Sequence, residues 1–355
     1  MPLTRLTPPE AMLAALLDGV VPVAAQRLPA AAALGRMIGE DLRASAPFPP
    51  QDIALREGWA VSAAATLGAS PYGPIPLTET PMLLRAGEAL PPGTDALLGP
   101  FDLEEHPLPQ ALQAAAPGDN IRRAGEDFPA LAPVAQAGRR LRALDIPSLL
   151  AAGIAEVAVR VPRVTLLDCG TGLAPMLAAL AGIEGAEITL DDAAPDALRD
   201  AGGDAILVVG GTGESSEDPA PRALAAAGTL MAHGLAARPG MATAIGRIGA
   251  APVLLLPGRA EDALAAWWLL GRPLLRHLAG AAAPPPREAR LARKVASTIG
   301  LAELVPLRFA EPAIVEPLSV GALPLGVLSQ AEALLVVPPG AEGYEAGSMI
   351  ACEAL

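Results

Sequence analysis

Residues 163–180, RVTLLDCGTGLAPMLAAL, decide the fold. An apolar strand candidate over 163–167 runs into a turn carrying Gly170 and Gly172, and a helix is predicted from about 174 to 181. The rhythm repeats downstream. A strand is expected at 188–190 with a helix at 195–201, a strand at 205–209 with a helix near 222–227, and a strand at 253–256 before a helix through Trp267 and Trp268. Strand, glycine turn and helix in alternation predict a parallel, doubly wound α/β domain that takes its ligand at the carboxyl ends of the strands. On the N-terminal side, residues 8–43 read as helical, with Pro8 and Pro9 placed to open the helix. Short apolar runs at 82–84 and 96–98 among Pro and Gly predict a small β-rich unit up to about residue 128, and helical periodicity returns at 144–152. Beyond the Pro-rich linker at 281–286, runs at 305–309, 333–337 and 348–352 read as strands of a small terminal β domain.

Composition narrows the function. The chain has 355 residues, enough for several domains, and its 52% hydrophobic content and mean hydropathy of +0.40 supply a core. A net charge of −13 argues against nucleic acid as partner, because a phosphate backbone calls for a basic surface. No uncharged run approaches the ~20 residues of a membrane helix; the stretch 223–237 falls short. Cys169 and Cys352 are far apart and form no CxxC pattern, so neither a disulfide framework nor a zinc site is indicated, and the cytoplasm is the default location.

Three glycine turns follow strands: Gly170-Thr171-Gly172, Gly210-Gly211-Thr212-Gly213 and Pro257-Gly258. Glycine there lets backbone N–H groups approach an anion, although α/β connections use glycine for purely structural reasons too. Together the three predict an anion-binding crevice. The acidic segment 213–218 either binds a metal or steers a phosphoryl group, or is a solvated loop. His106, His233 and His277 show no metal-ligand spacing, and Trp267 and Trp268 read as core packing.

Further segments, in order, resemble one family. DIALREGWA at 52–60 is similar to its DNSAMDGYA signature, LRAGEALPPGTDALL at 84–98 to its TGAPLPEGADAVV turn, and RRAGEDF at 122–128 keeps its Gly-Glu-Asp. VVGGTGESSEDPAPRAL at 208–224 resembles the GGVSVG loop with its later aspartate, ARPGMATAIG at 237–246 resembles KPGKP with its following strand, and LLLPGRAEDA at 254–263 resembles LPGNP. The closing residues 333–355 resemble the family's terminal β domain. On these motifs the chain resembles the molybdopterin molybdenumtransferases, the MoeA and gephyrin E-domain family.

The resemblance implies an elongated homodimer. Its units would be a helical linking domain (1–45 with 129–160), an inserted β-rich domain (46–128), a molybdopterin-binding α/β domain (161–282) and a C-terminal β domain (283–355). It implies a site completed by the inserted domain of a partner subunit, where adenylated molybdopterin is hydrolysed with magnesium and molybdate is inserted. The product would pass to a molybdoenzyme or another cofactor-biosynthesis protein. Carried over residue by residue, Glu57, Asp127 and Asp218 are the catalytic carboxylates, with Asp127 and Asp218 on the metal. Gly170, Gly172, Gly210, Gly211, Thr212, Arg238, Gly240, Pro257, Gly258 and Arg259 would hold molybdopterin or its adenylate. Several positions depart from the pattern: Glu57 replaces an aspartate, Ala86 a threonine, Gly213 a serine, Met241 a lysine and Arg259-Ala260 an Asn-Pro. Losing a lysine and a hydroxyl removes donors for an oxyanion. The alternative expectation is therefore a catalytically degenerate relative that carries molybdopterin or serves as a scaffold.

Overall fold

A computed structural model describes residues 6–105, 107–191, 196–213, 218–283 and 286–355. Its central domain is the expected α/β unit. Four parallel strands lie in the order Glu187–Asp191, Arg163–Asp168, Ala205–Val209, Ala251–Leu256. All five residues of Ala205–Val209 are buried, as an apolar run covered on both faces requires. One face packs on the helices Ala174–Ile183 and Arg272–Leu278, and the other on Ala220–Ala227. Two further strands extend the sheet. Ala244–Ile248 runs antiparallel to Ala251–Leu256 through a tight turn with Gly249 at φ +57°, and Thr229–His233 pairs antiparallel with Ala244–Ile248. The sequence reading expected a strand after the ARPGM turn, which Ala244–Ile248 provides, but did not signal Thr229–His233. The expected helix at 195–201 is reduced to a 3-10 turn at Asp196–Arg199, and Pro195 lies outside the described residues.

The long helix expected over 8–43 is confined to Pro9–Leu17. Gly19 at φ +68°, two valines and Pro22 stop it, since a left-handed glycine and an imide both break the helical ladder. Met12 and Leu16 then pack into the α/β core instead of a separate bundle. The rest of the linking unit contains more strand than helix: Gln26–Pro29 and Met37–Ile38 flank Glu156–Arg160, and among its described residues only Ile146–Ala151 is α-helical.

In the inserted unit the sheet Met82–Leu84, Gly58–Val61, Ala96–Leu98 encloses Ala60, Leu84 and Leu97. At the C-terminus, Arg287–Leu291, Ala302–Glu311, Ile314–Pro317, Ala333–Val337 and Met349–Ala354 form a sheet closed by pairing of Ala302–Glu311 with Ala333–Val337. The two-residue strand Ala237–Arg238 pairs in parallel with its start, in the register Arg238 to Glu303, and so joins the α/β unit to the barrel.

Candidate functional site

The three glycine turns meet at the carboxyl edge of the sheet, and Thr171 lies at their centre. A Cβ at Gly210 would stand 2.5 Å from the Thr171 methyl, and one at Gly258 would stand 3.2 Å from it. Glycine at both positions thus admits a side chain as well as exposing backbone. Thr171 is held by Asp168, which is only 8% exposed. The Asp168 carboxylate accepts from the Thr171 N–H (2.7 Å), the Thr171 hydroxyl (2.8 Å) and the Ala174 N–H (3.2 Å), closing the turn onto the helix start. Burial alone would raise the Asp168 pKa, but these bonds, with the Gly172 N–H, outweigh it and hold the group below the usual carboxylate range. The neighbouring Cys169 thiol is pushed up by burial and by the Asp168 charge, which disfavours a thiolate at neutral pH.

Beside Gly210, the Thr212 carbonyl lies 2.9 Å from His233 Nε2. Gly213 backs onto Asp218: a Cβ there would come within 2.6 Å of Asp218 Oδ2, so a serine has no room without movement of that carboxylate. The acidic residues 214–217 lie outside the described residues, as does His106.

A cleft of about 470 Å³ separates the α/β unit from the barrel, walled by 237–241, by Arg259, Glu261 and Asp262, and by 321–324. Both of its arginines are already engaged. Arg238 bonds Glu303, which is 0% exposed, and reaches Thr298 Oγ1 at 3.2 Å. Gly321 permits this pair, because a Cβ there would stand 3.0 Å from Arg238 Nε. The second oxygen of Glu303 is buried with no hydrogen-bond partner among the described residues. Arg259 pairs with Glu261 and approaches Asp262 Oδ2 at 3.6 Å. Asp262 in turn accepts from the Gly240 N–H at 2.7 Å and fixes that loop. Two guanidiniums face three carboxylates here, so the wall carries no net positive charge in this state.

Asp127 and Glu57 lie in the inserted unit. Asp127 pairs with Arg122 at 3.1 Å, and Glu57 is exposed beside the strand Gly58–Val61. Asp218 stands just before the helix Ala220–Ala227 of the α/β unit. Among the described residues, no three His, Cys, Asp or Glu side chains gather closely enough to hold a metal ion. Magnesium normally takes one or two carboxylates plus water and substrate phosphate oxygens. A site of one or two carboxylates, such as Asp127 or Asp218, completed by water and substrate phosphate, is the kind that suits it, and no chemical step is assigned to it. No described helix is long and apolar enough to cross a membrane.

The roles of Asp168 and Thr171, and Glu303 and Gly321 altogether, escaped the sequence reading, which placed Thr171 only as the middle of the first glycine turn. An aspartate three residues before a threonine and six before a helix start is a legible turn signal for the first two. Glu303, in the apolar run LAELVPL, and Gly321, in a loop, gave none.

Comparison with known proteins gives three family matches in order along the chain. They are the MoeA N-terminal region (domain I and II) over 7–153, a probable molybdopterin binding domain over 174–277, and the MoeA C-terminal region (domain IV) over 288–355. Molybdopterin molybdenumtransferase 2 of Mycobacterium tuberculosis is 28% identical over 327 residues, covering 77% of this chain and 80% of that protein. The crystal structure of the molybdopterin biosynthesis MoeA protein from Pyrococcus horikoshii OT3 superposes with a TM-score of 0.76 at 23% identity, covering 99% of this chain and 100% of that one. A molybdenum cofactor biosynthesis protein from Pyrococcus furiosus gives 0.65 at 21%, with the same coverage. At these identities the structural likeness is one of fold.

Proposed function

The chain belongs to the MoeA family of molybdopterin molybdenumtransferases, and from that premise we propose that it acts in molybdenum cofactor biosynthesis by inserting molybdate into adenylated molybdopterin. The observation carrying this reading is that all three family regions occur in order, and that two strand-end turns of the middle one, at Gly210 and Gly258, converge on Thr171 just ahead of it. Backbone N–H groups at Gly170, Gly211, Thr212 and Gly258 would position the pterin phosphate, while Gly172 and Gly210, whose N–H groups go to Asp168 and the Leu256 carbonyl, and Pro257, which has none, would shape the turns. Arg238 and Arg259, with the Gly240 loop, would face the oxyanion by exchanging their present carboxylates for it. Asp218, together with Glu57 and Asp127 from the inserted unit of a second copy, would orient the water that cleaves the adenylate and accept its proton, releasing AMP. We place this homodimer in the cytoplasm, handing its product to a molybdoenzyme or another cofactor-biosynthesis protein.

A second reading, a molybdopterin carrier without turnover, rests on one observation: both cleft arginines are carboxylate-paired while Met241 stands where the family has lysine. Complementation separates the two. A bacterial strain lacking its own transferase should regain molybdoenzyme activity when this chain is expressed. Soluble expression with no recovery at any molybdate supplement would remove the transferase reading.

A further inference from the structure

A second cluster of charges lies where the α/β unit, the 281–283 linker and the last strand of the barrel meet. Its centre is Glu184, which is buried. Arg140 pairs with one Glu184 oxygen at 2.7 Å and Arg272 with the other at 2.9 Å. Arg272 also bonds Glu353 and lies over the Trp268 ring, 4.5 Å from its centroid. Arg276 is the third guanidinium. Its hydrogen bond goes to the Ala282 carbonyl at 2.8 Å, and among the described residues it forms no ion pair. Three arginines against two glutamates leave one positive charge over, in a chain whose net charge is −13.

Burial pushes the Arg276 pKa down, Glu184 and Glu353 oppose that, and Arg272 and Arg140 add to it. A cavity of about 290 Å³ opens beside this cation, lined by Trp268, Arg272, Arg276, His277, Ala281 and Glu353. His277 is not available to swing in, since its Nε2 lies 2.8 Å from the Val20 carbonyl. The Ala282 bond has an ordinary structural use, closing the helix Arg272–Leu278, but it takes only one of the roughly five donors a guanidinium carries. A half-buried cation with spare donors at a cavity several water volumes in size is suited to a small anion.

We propose that this cavity binds a tetrahedral oxyanion of phosphate size, with Arg276 as its principal donor and Arg272 as its neighbour. The site is separate from the strand-end turns and does not depend on the proposed reaction. Phosphate, sulfate and molybdate share the required shape and charge, so titration calorimetry of the full chain with each in turn, at fixed ionic strength, identifies the source. Saturable binding of at least one, at millimolar or lower concentration, is expected. Arg276→Gln, which keeps a donor for Ala282, should weaken it by about tenfold or more. Arg27→Gln, which alters an exposed pair elsewhere, should leave it unchanged. Ala283→Glu, on the exposed rim of the cavity, places a competing carboxylate there and should also weaken binding if Arg276→Gln fails to fold. Absence of saturable heat with all three anions overturns the proposal. So does wild-type affinity in either cavity variant.

Discussion

Asp168→Asn tests whether the central turn is held by a charged carboxylate. Four donors point at that group: the two of Thr171 at 2.7 and 2.8 Å, the Ala174 N–H at 3.2 Å, and the Gly172 N–H. Hydrogen bonds to a charged group contribute ~1.5–3 kcal/mol and neutral ones ~0.5–1.5. The asparagine oxygen can keep the two Thr171 bonds in weaker form, while its NH2 faces the Ala174 N–H and loses the third. After allowing for the easier burial of a neutral amide, the net loss comes to about 2–3 kcal/mol at pH 7. Because the folded-state pKa of Asp168 is depressed, its contribution is complete above the unfolded value of about 4 and is lost as pH falls through the folded value. The gap between wild type and Asp168→Asn should therefore be full at pH 7 and smaller at pH 3. Of the three tryptophans, only Trp59 lies in the inserted unit, so urea unfolding in a Trp59→Phe background follows the α/β unit through Trp267 and Trp268. Equal stability at pH 7, or a gap of the same size at pH 3, would refute the charged-clasp argument.

Other consequences are open to similar tests. Gly210→Ala should destabilise by a few kcal/mol, since its φ of +93° is strained for an L-residue and its Cβ meets the Thr171 methyl at 2.5 Å; Thr171→Ser in the same chain should restore the steric part, as a thermal-melt double-mutant cycle would reveal. Arg238→Ala removes the ion-pair partner of the buried Glu303 carboxylate and, with Arg238 itself half exposed, should cost about 1–3 kcal/mol in denaturant titrations, with Glu303→Gln recovering most of it. Met241→Lys adds an uncommitted cation to the cleft wall and should tighten binding of a molybdopterin phosphate by about tenfold in calorimetry.

The parallel strands and their glycine turns were legible because apolar runs of five or six residues ending in glycine leave little room for another reading. Ala205–Val209 falls on its expected residues. The edge strand Thr229–His233 was hidden because it lies in an Ala-rich stretch with helical character, where pairing with Ala244–Ile248 overrides local propensity. The same override shortened the first helix, where the apolar spacing of Met12 to Leu17 was real but Gly19 and Pro22 ended it. At the site, the family resemblance assigned Arg238 and Arg259 to one anion, and both do line one cleft. It could not tell that each would already hold a carboxylate, because Glu303 is 65 residues from Arg238 and meets it only through the strand register.

The most direct test of the proposed reaction is AMP release from adenylated molybdopterin by the purified protein, with and without molybdate, in the presence of magnesium. The account predicts molybdate-dependent AMP release, with molybdenum appearing in the pterin product. Saturable pterin binding without AMP release would contradict it and leave a carrier.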